Sequence, residues 1–349
     1  MKPVYLITVF YIFTICGLTG QIQFGPLNKN TELYLKALSA DSAIQKGEFG
    51  EIHSLLVVQN GELVFENYYS SWTRDSLHQL QSATKSVVST LLGCALQQQF
   101  ILNTDERVLK FFPGLTLEDH RLQELKIEDL LTQRHGLKWK EQMWDDPDNS
   151  WRKVMQTEGN WYHTILKTEM DTIPGKLFNY SNAAPVLVAG IIQQATSMNI
   201  DIFAKKYLFD PLEIYKYQFW QGNNGPQNNG MALLYLSSRD MAKLGQLFLQ
   251  NGKWNDVQLI PESYVHAALS SHVKNVHPNG FYKGYDYGYF WWSQPVTSEN
   301  KKSNVFLARG AGGQNIIVSR EKKMVVVITA WNSQQPNKPQ RIYENYLSK

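Results

Sequence analysis

The chain has 349 residues, of which 43% are hydrophobic and 19% are charged, and its formal net charge is +3. This composition is typical of a globular protein with a substantial core, and the length favours two subdomains. Because the sequence contains no block of like charges, it excludes a basic nucleic-acid-binding surface and leaves neutral small or polymeric substrates open.

Residues 1–20 have the pattern of a signal peptide. Lys2 supplies the positive start, residues 4–16 are apolar, and small residues follow near a cleavage point. We therefore expect an exported protein, periplasmic or secreted, with no transmembrane span after cleavage. A membrane anchor is the alternative, but the apolar stretch is shorter than the roughly 20 residues that span a bilayer. Lipid attachment at Cys16 is a further alternative, which the bulky Ile15 before it disfavours.

If cleavage follows Cys16, Cys94 is the remaining cysteine and no intrachain disulfide can form. Cys94 lies in an apolar helical pattern, which favours core packing over a reactive thiol.

The first predicted elements after the leader are a β-hairpin and a helix. Residues 52–58 and 63–65 are strand-like, and Asn60-Gly61 between them is a hairpin turn. After Ser82, apolar residues recur at helical spacing, which predicts a buried helix.

The middle of the chain has helical patterns, at residues 127–131, 160–167, 183–195 and 202–208. A capping box at residues 237–240 then predicts a helix over residues 241–250. Strand patterns return at residues 287–292, 305–308, 316–319 and 324–330. We therefore predict a discontinuous α/β sheet domain (residues 21–100 and 230–349) and an inserted helical domain (residues 101–229), with a cleft between them. The Asn- and Gly-rich residues 222–230 are the expected linker.

Ser82 and Lys85 are a candidate nucleophile and base. At this spacing on a helix the two side chains share one face, and a lysine can take a serine proton once burial lowers its pKa. The same S-x-x-K spacing recurs at Ser150/Lys153 and three other places, but only Ser82 opens a core helix. A plain helix N-cap is the alternative role for Ser82.

Tyr180-Ser181-Asn182 lies between the Pro174-Gly175 turn and the apolar helix at residues 183–195. Tyr180 could shuttle a proton and the Asn182 amide could hold a substrate carbonyl, although Asn182 could also simply cap the helix.

A glycine-rich run at residues 310–314 joins two predicted strands, where exposed backbone N–H groups could form half an oxyanion hole. A bulge or tight turn is the alternative.

We find no metal-binding motif and no phosphate loop, so we expect no metal and no cofactor. His135 and His163 are expected to be structural, with a place in the cleft as the alternative. Aromatic residues are expected to form apolar cleft walls, namely Trp144, Trp151, Tyr162 and residues 287–292.

Together these motifs resemble the serine β-lactamase and penicillin-binding protein superfamily. More closely, the chain is similar to the branch of β-lactamase-related serine hydrolases that includes cephalosporinase-like enzymes, esterases and nylon-oligomer hydrolases. The likeness covers nearly the whole mature chain. Its three motifs are Ser82-Ala83-Thr84-Lys85, Tyr180-Ser181-Asn182 and Gly310-Ala311-Gly312-Gly313-Gln314, with similar flanks at residues 104–108, 127–131, 174–182 and 287–292.

The resemblance implies a β-lactamase/transpeptidase-like fold, with an antiparallel sheet flanked by helices and a mainly helical insertion. It implies that Ser82 is acylated, Lys85 is its general base and Tyr180 shuttles the proton. Asn182 would orient the substrate amide or the lysine. The third motif, Gly312-Gly313-Gln314, would bind substrate, with the second oxyanion N–H on Gln314.

The third motif departs from the K-T-G common in the family, because Ala311-Gly312-Gly313 has neither a basic nor a hydroxyl side chain. This departure argues against the substrate carboxylate of β-lactams and D-alanyl peptides. We therefore expect an ester or small-amide hydrolase. A β-lactamase or D-alanyl-D-alanine carboxypeptidase-like penicillin-binding protein is the alternative, and a non-catalytic ligand-binding sensor is the second. The oligomeric state is left open.

Overall fold

Both ends of the chain contribute strands to one antiparallel sheet. The computed structural model describes residues 21–25, 27–115, 119–141, 143–158, 160–219, 233–276, 283–298 and 301–348. The strands in these ranges are β1 (Ile52–Gln59), β2 (Glu62–Tyr68), β3 (His78–Gln79), β4 (Tyr217–Phe219), β5 (Leu234–Leu236), β6 (Lys253–Trp254), β7 (Val257–Gln258), β8 (Asp286–Tyr287), β9 (Trp292–Ser298), β10 (Lys301–Gly310), β11 (Gln314–Ser319) and β12 (Met324–Ala330). The α-helices are α1 (Glu32–Gln45), α2 (Thr84–Gln97), α3 (Ile127–Leu131), α4 (Ser150–Gln156), α5 (Trp161–Leu166), α6 (Ala183–Thr196), α7 (Ile200–Ala204), α8 (Ser238–Leu249) and α9 (Glu262–Ala268).

The main sheet of the described residues has the order β2-β1-β12-β11-β10-β9-β8, and each neighbouring pair is antiparallel. The side chains of β11 and β12 are buried throughout, as expected for strands covered on both faces. Helix α8 packs directly on these two strands. A Cβ at Gly245 of α8 would lie 2.5 Å from Val325, so glycine permits this close approach. The predicted fold class is confirmed.

The helices between residues 127 and 204 pack around α6. Helices α2, α3, α5 and α7 all contact it, and its residues from Ala183 to Ile192 are buried. A Cβ at Gly190 would lie 2.8 Å from the Tyr162 ring, so α5 and α6 are in close contact. The contact between α2 and α6 brings together the starts of the two helices that carry the first and second motifs. The two-domain division itself stays a prediction.

Most of the predicted elements are present, with shifts of a few residues at their ends. The hairpin turn at Asn60-Gly61 has the positive φ angles, 53° and 79°, that a two-residue turn of this kind requires. The N-cap half of the predicted capping box is present, because the Ser237 side chain accepts a hydrogen bond from the Asp240 N–H at the start of α8, and Asp240 Oδ2 accepts from the Ser237 hydroxyl. The helix expected over residues 202–208 is instead α7 followed by a π-helical turn, Lys205–Phe209.

The single strand predicted over residues 287–292 is wrong. The chain there forms the end of β8, a tight turn and the start of β9, and Phe290 in the turn has φ 59°. The run of four aromatic residues hides this turn, since such residues favour strands by propensity. Residues 1–20 and 222–230, predicted as leader and linker, lie outside the described residues.

Within the described ranges, no helix on its own has the length and apolarity to cross a membrane. Helix α6 and the segment Ile200–Phe209 pass that test only as a pair, and they are bent by 81° at the break between them.

Candidate active site

Ser82 lies in a strained turn between β3 and α2. Gln81 before it has φ 52°, a left-handed conformation that costs a non-glycine residue roughly 1–2 kcal/mol. Residues Gln81–Ala83 form a 3₁₀ turn, and the N-cap of α2 is Ala83, which makes no side-chain capping bond. Ser82 is therefore not the N-cap of α2. Its hydroxyl instead faces the side chains of the second motif, and strain of this kind is often found at functional sites.

Lys85 is buried and lies beside Ser82. It is the second residue of α2, one turn after Ser82, only 4% of the residue is exposed, and Nζ is 3.3 Å from Ser82 Oγ. Nζ also lies 4.7 Å from the centre of the Tyr180 ring. Burial lowers the pKa of Lys85 to about 8, against the opposing effect of the Glu141 carboxylate. An appreciable part of the amine is therefore uncharged near neutral pH and can accept a proton.

Tyr180 completes a triangle with Ser82 and Lys85. Its hydroxyl hydrogen-bonds the Ser82 side chain, and burial raises the pKa of Tyr180 well above its usual value. The ring packs against Trp292, with centroids 5.7 Å apart, and edge-on against Tyr287 at 6.2 Å. Burial keeps the phenol neutral and these contacts hold its position, so its hydroxyl can both donate and accept a hydrogen bond.

Asn182 joins the triangle through its side chain. Its Oδ1 accepts a hydrogen bond from Lys85 Nζ at 2.5 Å, and its Nδ2 donates to Glu141 Oε1. Although Asn182 is the residue before α6, it makes no side-chain capping bond. The functional interpretation of Asn182 therefore fits the structure better than the capping one.

The glycine-rich element lies at the end of β10, against the turn that carries Ser82. A Cβ at Gly310 would lie 2.1 Å from the Leu80 carbonyl oxygen and 2.9 Å from Gln81 Cβ. Gly312 and Gly313 have φ of 80° and 106°, and side chains there would meet Trp331 and Pro339.

Gln314 is buried and starts β11, and its Nε2 donates to the carbonyl of Ala330. The Gln314 side chain therefore bonds the neighbouring strand β12 through the Ala330 carbonyl. Among the glycines of this element, Gly310 is the one whose Cβ position lies against Leu80 and Gln81, in and beside the turn that carries Ser82.

A family comparison agrees with this geometry. The model of the family described as Beta-lactamase matches residues 52–347, which is most of the chain. The chain belongs to the Beta-lactamase family. The resemblance drawn from the three motifs is thereby confirmed, and with it the β-lactamase-like fold.

Relatives of this Beta-lactamase family member include hydrolases. The 6-aminohexanoate-dimer hydrolase of Paenarthrobacter ureafaciens is 21% identical over 295 residues, which cover 80% of this chain and 72% of that protein. Two solved structures share the fold. A D-stereospecific amidohydrolase from Streptomyces sp. has a TM-score of 0.67 and 16% identity, and covers 91% of this chain and 99% of its own. EstCE1, a hydrolase with promiscuous acyltransferase activity, has a TM-score of 0.72 and 14% identity, over 89% of this chain and 97% of its own.

Glu141 is a site residue that sequence reasoning missed. Its carboxylate accepts hydrogen bonds from the Asn182 backbone N–H and from Trp139 Nε1, both at 2.7 Å, in addition to the Asn182 amide. Burial raises the pKa of Glu141, while Lys85 and these donors oppose the rise. The sequence contains one usable signal: Trp139 and Glu141 are two residues apart, so in extended chain their side chains point the same way.

Gln133, which sequence reasoning missed, and His135, which the sequence predicts to be structural, support the second motif. Gln133 is fully buried and bonds the backbone N–H, carbonyl and hydroxyl of Ser181. The His135 ring bridges the Leu137 N–H and the Asn179 carbonyl, at 3.1 and 3.0 Å. His135 is therefore structural, while His163 is exposed on α5.

Two of the aromatic residues expected in the cleft wall lie elsewhere. Trp151 and Tyr162 are buried in the helical region, where they pack on Trp161 and Phe112 respectively. That expectation was wrong for both, because helical spacing could not separate core aromatics from cleft aromatics. Trp144 is exposed, at 57%.

Proposed function

We propose that the chain is an exported serine hydrolase that cleaves an ester or small amide through an acyl-enzyme. The observation that carries this proposal is the 3.3 Å approach of Lys85 Nζ to Ser82 Oγ, in surroundings that lower the pKa of the lysine to about 8. A hydroxyl beside an uncharged amine is an activated nucleophile.

In the first half-reaction, Ser82 Oγ bonds to the substrate carbonyl carbon while its proton passes to the Lys85 amine. Backbone N–H groups of Ser82 and of the glycine-rich element stabilise the oxyanion. The bond to the leaving group then breaks, and the departing alkoxide or amine takes a proton from Tyr180, which is re-protonated by the Lys85 ammonium. In the second half-reaction, water attacks the acyl-enzyme by the same route and releases the acid.

An ester or small amide is favoured over a β-lactam or a D-alanyl peptide. Residues Ala311-Gly312-Gly313 offer no basic or hydroxyl side chain to a substrate carboxylate. In addition, the aromatic rings of Tyr287 and Trp292 pack against Tyr180, which gives the site apolar surroundings. The names of two similar proteins, the 6-aminohexanoate-dimer hydrolase of Paenarthrobacter ureafaciens and the D-stereospecific amidohydrolase from Streptomyces sp., support an amide substrate.

The test is labelling by a fluorophosphonate followed by intact-mass analysis. We expect one adduct on wild-type protein, located on Ser82 by peptide mapping, and none on Ser82→Ala. The matched control is Ser271→Ala, which alters another serine three residues before a lysine and should label fully. Undiminished labelling of Ser82→Ala would contradict the proposal. Incubation with a panel of esters, amides and β-lactams then shows by mass which acyl group is transferred.

Export depends on residues 1–20 acting as a cleaved leader. The amino-terminal sequence of the protein recovered outside the cytoplasm tests it: a new terminus near residue 20 is expected, and an intact Met1 would contradict cleavage.

A further inference from the structure

The Glu141 carboxylate holds Asn182 from two sides. One oxygen, Oε2, accepts the Asn182 backbone N–H and Trp139 Nε1, each at 2.7 Å. The other oxygen, Oε1, accepts the Asn182 side-chain amide at Nδ2. Glu141 thus uses both oxygens to accept hydrogen bonds from groups that can only donate, which is the arrangement expected of an ionised carboxylate.

This arrangement determines which way the Asn182 amide points. The acceptor oxygen and the donor NH₂ group of an asparagine amide exchange places when the amide makes a half-turn, so its hydrogen-bond partners decide its orientation. Because Nδ2 is bound to Glu141, Oδ1 must face Lys85, where it accepts from Nζ at 2.5 Å. An uncharged Lys85 that donates a hydrogen bond to Asn182 Oδ1 keeps its lone pair available for the Ser82 proton.

We propose that Glu141 is a positioning residue, which orients the Asn182 amide so that its oxygen holds the Lys85 amine toward Ser82. This inference rests on the proposed function of the same site. It adds a residue that belongs to none of the three motifs and touches neither Ser82 nor the glycine-rich element by any described hydrogen bond.

The charges around the site make the role measurable. Lys85 faces the Glu141 carboxylate, and Tyr180 faces both Glu141 and the Arg309 guanidinium. Burial is the larger influence on the pKa of Lys85, and Glu141 opposes it. Removing the negative charge should therefore lower the pKa of Lys85 further, while a group that only packs the loop would leave it unchanged.

The test is the second-order rate of fluorophosphonate labelling of full-length protein between pH 5 and 10. In this reaction Ser82 Oγ bonds to phosphorus, fluoride leaves, and the serine proton passes to Lys85. In Glu141→Gln the oxygen of the new amide can keep the bonds from the Asn182 backbone N–H and Trp139 Nε1, and its NH₂ group then faces Asn182 Nδ2. Because two donors cannot bond each other, the Asn182 amide must turn. Its Nδ2 then points at Lys85 and hydrogen-bonds the amine lone pair that would take the Ser82 proton. We expect the plateau rate to fall by about 10²-fold, as for a misplaced catalytic group, and the midpoint of the pH profile to move to lower pH.

Two variants serve as comparisons. Glu169→Gln makes the same change at an exposed carboxylate paired with Lys138, so its rate and midpoint should equal those of wild type. Glu141→Asp keeps the charge on a shorter side chain, so its midpoint should stay at the wild-type pH while its rate falls. If Glu141→Gln does not fold, as judged by circular dichroism, the Asp variant alone decides the question.

A Glu141→Gln profile with the wild-type midpoint, or a wild-type rate in the Asp variant, would overturn this inference while leaving the proposed function standing. Failure of wild-type protein to label at Ser82 would overturn both.

Discussion

At the scale of single residues, Lys85 is the group whose surroundings matter most. Burial penalises its charged form and lowers its pKa from 10.5 to about 8. With a pKa near 8, roughly a tenth of the amine is uncharged at pH 7. The exposed Lys153, with the same spacing from Ser150, is instead paired with Asp148 at 2.8 Å. Identical spacing therefore gives a buried lysine with a lowered pKa in one place and a surface ion pair in the other.

We predict that the labelling rate of Ser82 rises about tenfold per pH unit below pH 8 and levels off above it. The sign follows from the chemistry, because only the deprotonated amine can accept the serine proton. Lys85→Ala should lower the rate by about 10²–10⁴ and remove this rise. Labelling reactions stopped at fixed times and analysed by mass spectrometry measure the rate at each pH, with Lys153→Ala as the control. A wild-type rate in Lys85→Ala would remove the lysine from the mechanism.

The sequence is sufficient to predict the residues that meet at the site but not those that hold them in place. Ser82 and Lys85 lie in one short motif at a helix start and Tyr180 and Asn182 in another, so local spacing gives the geometry within each pair. That the two pairs meet, across 97 residues of chain, follows from the family resemblance and not from spacing. Glu141 reaches Asn182 across 41 residues of chain, and the sequence alone shows it only as one acid in a polar loop. Such contacts depend on how separate segments pack, which no local pattern encodes.

At the scale of elements, β10 is pressed against the turn before α2. The approach is possible because residue 310 has no side chain, and a Cβ there would be 2.1 Å from the Leu80 carbonyl oxygen. The end of β10 and the turn that carries Ser82 therefore hold each other in position.

Gly310→Ala should force the two apart. Overpacking of this kind costs about 1–3 kcal/mol of unfolding free energy, and displacement of Gln81 and Ser82 should slow labelling as well. Gly25→Ala is the matched control, because no atom lies within 4 Å of its Cβ position. Urea unfolding and labelling rates measure both effects. Equal stability and rate in the two variants would show that the close approach is unimportant.

At the scale of the whole molecule, buried histidines should make the fold sensitive to acid. His78 on β3 is 1% exposed, stacks on Trp72 at 4.4 Å, and has a pKa that burial lowers to about 4. His53 lies beside it, with a pKa also lowered by burial. Burial likewise lowers the pKa of His135 to about 4. In the unfolded chain each would bind a proton near pH 6.5, so folded protein loses stability as the pH falls from about 6.5 to 4.

His78→Phe should reduce this loss. A phenyl ring can keep the stacking on Trp72, and it cannot take up a proton in either state. The variant should lose about 3 kcal/mol less unfolding free energy than wild type between pH 7 and pH 4, as measured by urea titrations at each pH. An identical pH dependence in both proteins would show that His78 does not contribute.

The order of the strands also constrains when the molecule can assemble. The amino-terminal hairpin, β1 and β2, joins the sheet only through β12, which is synthesised last among the strands. While the chain is still emerging from the ribosome, that hairpin has no neighbour to pair with along β1. The site around Ser82 would therefore stay unassembled until translation is almost complete, and a chain in this unfolded state can still pass through a narrow channel.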